Sequence, residues 1–239
     1  MKTILLKFAG PLQSWGTNSH FETRQTDLYP SKSAVIGLIA ASFGYKRDED
    51  SKIKKLNELN YAVRIDQQGN LLRDYQIAQK FKNSGDFDRT YVTNRYYLED
   101  AIFVVALSHD NDKFIEEIYE CIQNPYFQTF MGRRSCPLPA DFLQGIFDDN
   151  ILNTLKNYPW QAKYWYKKHH NNDLYCYMDA SIEKNLKASQ RRDMVVSFSQ
   201  RERKHKYRNE SQLIIKAIDP ADENNNSDIY DQHDAYGSL

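Results

Sequence analysis

The sequence predicts an α+β fold, and three observations predict it. Short apolar runs suited to buried strands occur at 3–9, 61–66 and 101–108. Stretches with apolar residues at helical spacing occur at 30–44 and 110–123. Their order, strand, helix, strand, strand, helix, is most of a split βαβ, or ferredoxin-like, unit and lacks only a final strand.

TILLKFA is the first strand, continuous in its apolar character. PSKSAVIGLIAASFG follows as a helix. Ser31 or Ser33 can cap its start, Ala34, Val35, Leu38, Ile39 and Phe43 supply the apolar face, and Gly44 the stop. SKIKKLNELN reads as a short amphipathic helix with Ile53, Leu56 and Leu59 inward. YAVRID alternates as a second strand that turns at QQGN. From Arg73 to Tyr97 aromatics and charges alternate around NSGD, a strong turn signal, with too few aliphatics to fill a core. That composition fits a hairpin projecting from the body. AIFVVALS is the third strand, and Phe114, Ile115, Ile118 and Ile122 define one face of the helix after it. The missing strand is expected in the C-terminal half, where LYCYMDASI, MVVSFS and QLIIKAI are candidates.

The 239 residues can bury one sizeable core, and length alone permits one domain or two. The reading adopted is a single domain over 1–218, with the hairpin at about 73–97 as an insertion and 219–239 as a disordered acidic tail. Lys7 interrupts the first apolar run, and nothing approaches the ~18 apolar residues of a membrane span, so a soluble, cytoplasmic protein with no membrane partner is expected. Cys121, Cys136 and Cys176 are odd in number and far apart, and the adjacent pair His169 and His170 diverges on any regular element. No metal site, disulfide framework or cofactor is expected.

Net charge is formally zero, but it is segregated. Between Lys184 and Arg208 nine Lys or Arg face two acids, Asp193 and Glu202, whereas from Asp219 onward there are six acids and no Lys or Arg. A basic region of this kind points to a polyanion partner.

Five blocks occur in order: AGPLQSWG (9–16), YPSKSAVIGLIAASFG (29–44) followed by RDED, RDYQ (73–76), YYLEDAIFVVAL (96–107) and GRRSCPL (132–138). In these blocks, and more loosely through RRDMVVSFSQRERKHKYR to QLIIKAI, the chain resembles the CasD family of type I-E CRISPR Cascade subunits, within the RAMP superfamily of modified RRM-like folds. The resemblance spans about residues 3 to 218. It implies a single RAMP body with a thumb hairpin, a grip on the 5′ handle of the CRISPR RNA, and contacts with the Cascade backbone subunit and large subunit. Target DNA would be met only indirectly, through guide pairing, with no cofactor and no catalysis.

The residues suggest how RNA would be held. The surplus of special residues in GPLQSWG, with Gln13, Ser14 and Trp15, forms a loop close to a helix start bearing Ser31, Lys32 and Ser33. Backbone N–H groups and the helix dipole there suit a phosphate, and Trp15 offers a face to a base. The competing reading makes Trp15 core and Ser31 only a cap. Arg133, Arg134 and Ser135 sit between a glycine and a proline, a constrained loop of guanidinium forks, with Cys136 beside them read as a small packing residue whose pKa nearby arginines could lower. Arg73, Tyr75, Lys80, Lys82, Arg89 and Arg95 of the hairpin, and Arg191, Arg192 and Arg201 of the basic run, are further RNA candidates, each rivalled by a merely solvated surface. The aromatic stretch 158–177 either packs under the body or faces a partner protein.

A metal-independent endoribonuclease is the alternative. Tyr45 with His205 between Lys204 and Lys206, or Lys168 with His169, would supply base and cation, though neither spacing forces convergence.

Overall fold

The computed structural model describes residues 1–17 and 22–219. In chain order the elements are β1 (Lys2–Ala9), β2 (Leu12–Gln13), β3 (Thr23–Arg24), α1 (Lys32–Ser42), α2 (Asp50–Leu56), β4 (Asn60–Gln67), β5 (Asn70–Phe81), β6 (Phe87–Glu99) and β7 (Ile102–His109). There follow α3 (Asp112–Gln123), β8 (Leu143–Phe147), α4 (Ile151–Asn157), α5 (Tyr164–Lys167), β9 (Asp173–Asp179), β10 (Ala188–Ser197) and β11 (Lys204–Lys216).

Seven strands form one antiparallel sheet in the order β10-β11-β9-β4-β7-β1-β8. The stretch β8-β1-β7-β4 is the split βαβ unit, with α1 and α2 joining β1 to β4, and α3 joining β7 to β8. The final strand is therefore LQGIF, and the sequence expectation is corrected on this point. Its five residues are all half-buried, Gly145 sits at φ 138, and the pairing with β1 shifts register between Leu5 and Leu6, so no apolar run advertises it. The three stretches named as candidates are instead β9, β10 and β11, which widen the sheet beyond β4.

The continuous burial of β1 follows from cover on both faces. Ile4, Leu6 and Phe8 point with Val63, Val105 and Leu107 into the core under α1, α2 and α3. Leu5 points the other way, with Ala62, Val104, Ala106 and Met178, against Ile151 and Leu155 of α4. Burying each large side chain contributes about 1.5–3 kcal/mol. Ser31 caps α1, its hydroxyl accepting from the Ala34 N–H, and Gly44 follows the helix at φ 75. Asn111 caps α3 in the same manner.

The hairpin is β5 and β6, turning at Gly85 with φ 90. Near its base β6 also pairs with β2 and β3. Farther out, among the described residues, the two strands pair only with each other, leaving Tyr75, Ile77, Phe81, Phe87 and Val92 exposed. No helix among the described residues is long and apolar enough to cross a membrane.

Candidate nucleic-acid interface

The loop leaving β1 docks on the twin-arginine loop, and this contact explains its unusual composition. Ser14 N–H donates to the Met131 carbonyl at 3.2 Å. Gly132, at φ 79, lies so close to Ser14 that a Cβ on it would sit 1.6 Å from the Ser14 oxygen. At Gly10 a Cβ would meet Met131 Cε at 2.8 Å. The glycines let two loops touch each other. Gln13 is fully buried and holds the corner, donating to the carbonyl of Ala101 at 2.7 Å and accepting from Trp15 Nε1 at 3.1 Å. Trp15 is 1% exposed and packs edge-on against Phe8. The stacking role expected of Trp15 is thus corrected, because no face of it is open to a base, and Gln13 and Ser14 are likewise buried in the corner.

What the docked loops present outward is a groove of about 370 Å3 lined by Arg24, Arg95, Tyr97, Arg133, Arg134 and Ser135. Arg133 is fixed in it. Its Nη2 donates to the Arg24 carbonyl at 2.7 Å, and its guanidinium lies 4.4 Å from the Tyr97 ring centre. Its Nη1 is buried with no hydrogen-bond partner among the described residues. Nor does any carboxylate of the described residues pair with Arg24, Arg95, Arg133 or Arg134. Four converging guanidiniums without an internal counter-charge repel one another and favour a bound polyanion.

The start of α1 is the reverse case. Lys32 is 6% exposed, and its Nζ pairs with Asp179 Oδ2 at 2.9 Å while its backbone N–H donates to Asp193 Oδ2 at 2.9 Å. Arg208 binds Asp193 at 2.6 Å, Asp179 at 3.1 Å and Glu210 at 2.5 Å. Arg191 meets Asp27 at 3.0 Å and Glu210 at 3.4 Å, and stacks on Tyr29, which stacks on Tyr177. Burial disfavours the charge of Arg208. The hydrogen bond to Asp193 and the charges of Asp193, Glu210 and Asp179 outweigh it, holding the guanidinium protonated more firmly than free arginine. The anion at this helix N-terminus is therefore Asp193 and not a phosphate. The RNA roles expected of Ser31, Lys32, Ser33 and Arg191 are corrected accordingly, since all are turned into the protein.

Of the hairpin residues expected from sequence to hold RNA, only Arg95 lines the groove. Arg73 donates to Asn94 Oδ1, Lys80 and Arg89 flank Asp88, and Tyr75 and Lys82 are exposed. Arg192 and Arg201 are exposed on and beyond β10. Cys136 is buried as a small packing residue, and burial pushes its thiol up against the Ser135 hydrogen bond and the Arg133 charge. His205 packs against Phe198, whereas Tyr45 stacks on Phe43 under Lys52. His169 lines a separate cavity of about 510 Å3 with Tyr166, His170 and Tyr175, and Lys168 sits over Tyr164.

Arg24 and Tyr97 were missed from sequence. Arg24 lies in a two-residue strand that carries no pattern. Tyr97 was visible only as one hairpin aromatic among many.

A split βαβ body that carries an arginine-lined groove beside an inserted hairpin places the chain in the ferredoxin-like class, with a groove whose charge suits a polyanion. The chain belongs to the CRISPR-associated Cas5 family, whose model, described as CRISPR-associated protein (Cas_Cas5), matches residues 3–209. It is 34% identical over 156 residues to the CRISPR system Cascade subunit CasD of Escherichia coli (strain K12), covering 59% of this chain and 70% of that one. It is similar to a chain of a CRISPR RNA-guided surveillance complex, with TM-score 0.74, 25% identity and 90% of each chain covered. It is also similar to a solved Cas protein, with TM-score 0.63, 28% identity, and 90% of this chain and 95% of the other covered.

Proposed function

We propose that this chain is a non-catalytic RNA-binding subunit of a type I-E CRISPR Cascade complex in the cytoplasm. It caps the 5′ handle of the CRISPR RNA and links the backbone subunit to the large subunit. The observation that carries the reading is the groove of four arginines with no internal counter-charge, in a member of the Cas5 family. Guanidinium forks hold phosphates bidentately and lie flat on bases, which suits a kinked single strand read by shape. Arg24, Arg95, Arg133, Arg134 and Ser135 form the first contact. The hairpin residues Arg73, Tyr75, Lys80, Lys82 and Arg89, with Arg192 and Arg201, add backbone contacts of little sequence information.

The test is co-expression with candidate Cascade neighbours. A short RNA of fixed 5′ end should co-purify with the assembly, and charge reversal at Arg133 and Arg134 should weaken its retention. Loss of two phosphate contacts should also make the log–log salt dependence shallower by about 1.4. Unchanged retention would leave a scaffold that touches protein alone. Incubation of the metal-free protein with a repeat hairpin RNA addresses catalysis. A single defined cut lost in His205→Ala would replace this reading with the endoribonuclease one.

A further inference from the structure

The charge of the chain divides at residue 219. All 32 Lys and Arg and 26 of the 32 acids precede it, and residues 219–239 hold the other six acids and no cation; Asp219 is paired with Lys167, and the remaining five acids lie in 220–239. The disorder expected of 220–239 falls outside the described residues, and the place from which the segment departs is defined. Strand register brings Ala9, Ile102, Gln67, Asp173 and Lys216 to one end of the seven-stranded sheet. The loop docked beneath the groove leaves β1 at that end, and the hairpin is inserted there, between β4 and β7. The acidic segment leaves β11 at the same end, after Trp160 N–H has bonded the Ile218 carbonyl. From β11 to β1 are four strand spacings, or about 19 Å at ~4.8 Å each. Twenty residues can extend to about 65 Å, well beyond that span.

We propose that the acidic segment 220–239 occupies the Arg24, Arg95, Arg133, Arg134 groove as an internal polyanion when RNA is absent. The regulatory consequence rests on the functional reading above. Tethering holds the segment at an effective concentration near millimolar, so it excludes weakly held, non-cognate RNA, while a guide that makes additional contacts displaces it. Carboxylates in the body already perform this service elsewhere. Lys32, Arg191 and Arg208 are each neutralised by acids from distant strands, whereas the four arginines that line the groove form no ion pair among the described residues.

Three proteins test it: the full chain, a chain ending at Asp219, and a full-length chain carrying Asp222→Asn, Glu223→Gln, Asp228→Asn, Asp231→Asn and Asp234→Asn. Affinity for an oligouridylate of about 20 nucleotides is measured at low salt. Both altered proteins should bind about tenfold more tightly than the full chain. In the full chain, a photo-crosslinking benzoylphenylalanine in place of Tyr230 should label peptides containing Arg95 or Arg133, and excess RNA should abolish the labelling. Equal affinity in all three proteins, or labelling confined to residues 200–208, would overturn the proposal. Charge reversal at Arg133 and Arg134 separates the two readings. If it leaves RNA affinity intact while the crosslink persists in the parent protein, the RNA reading fails and the docked segment stands. If it weakens RNA binding while tail removal changes nothing, the reverse holds.

Discussion

Two clusters of cations lie within one fold and are handled in opposite ways. Lys32, Arg191 and Arg208 face four acids, Asp27, Asp179, Asp193 and Glu210, at 2.5–3.5 Å. Arg24, Arg95, Arg133 and Arg134 form no ion pair among the described residues, although Asp74 stands opposite Arg95 in the β5–β6 register. The difference is one of cost. A buried charge must bring its counter-ion with it, whereas a charge at an open groove can be left for a ligand to neutralise. The lesson is that residue type and local basicity do not separate a binding cation from a structural one. Only the presence or absence of a partner does, and here the partners of Lys32 are 147 and 161 residues away in sequence.

The comparison is broken most directly at Asp193, which is fully buried and serves Arg208, Arg191 and the Lys32 N–H together. Asp193→Ala strips Arg208 and Arg191 of one acid each, leaving Asp179, Glu210 and Asp27, and leaves the Lys32 N–H unbonded; breaking a buried pair of this kind costs about 3 kcal/mol, the low end of the range for buried ion pairs. For a body of this size that is a fall in Tm of about 10 °C by thermal unfolding. Arg134→Ala, in the exposed groove, should shift Tm by less than about 2 °C while lowering RNA affinity. If both variants unfold alike, the two clusters are not different in kind.

A sharper probe is Lys32→Ala, because sequence reasoning favoured Lys32 as an RNA contact and the structure turns it inward. Asp179 keeps Arg208 and the Tyr61 N–H as partners, so the loss is expected to be about 1–3 kcal/mol by urea unfolding. RNA retention by the folded variant should equal that of the parent. A variant of unchanged stability that releases RNA would restore the phosphate site at the helix start.

Much of the fold was legible because it rests on local pattern. The runs of β1, β4 and β7, the 3.6-residue spacing of α3 and the glycine turn of the hairpin each stay within a dozen residues. β8 was not legible, since Gln144 and Gly145 interrupt it and its place is fixed by pairing with β1 some 140 residues earlier. The site was half legible. The twin arginines could be read from a rigid loop between glycine and proline, and the contact between that loop and GPLQSWG was foreshadowed by glycines that needed a reason. What those glycines admit, however, is another loop and not RNA. Asp193 did carry a signal, as one of only two acids inside a strongly basic stretch, where an acid in a cationic run marks a partner for those cations.

The smallest expected effect concerns His205, which lies between the two regimes. It is packed against Phe198 in a cationic neighbourhood without a carboxylate bonded to its ring. Burial, then the charges of Arg203 and Arg192, lower its pKa below the ordinary 6.5, with Asp193 a minor opposing influence. The unfolded chain therefore binds more protons than the folded one between that lowered value and 6.5. Stability is full above pH 6.5 and declines as the pH falls through 6.5 toward the folded pKa. His205→Gln should flatten this slope in urea titrations, and Arg203→Ala should reduce it in part. The arginine groove, whose charge is constant over this range, should hold RNA equally well from about pH 6 to 8. A pH-dependent loss of RNA that vanishes in His205→Gln would show that β11 reaches the ligand, and would join the two regions that the present geometry keeps apart.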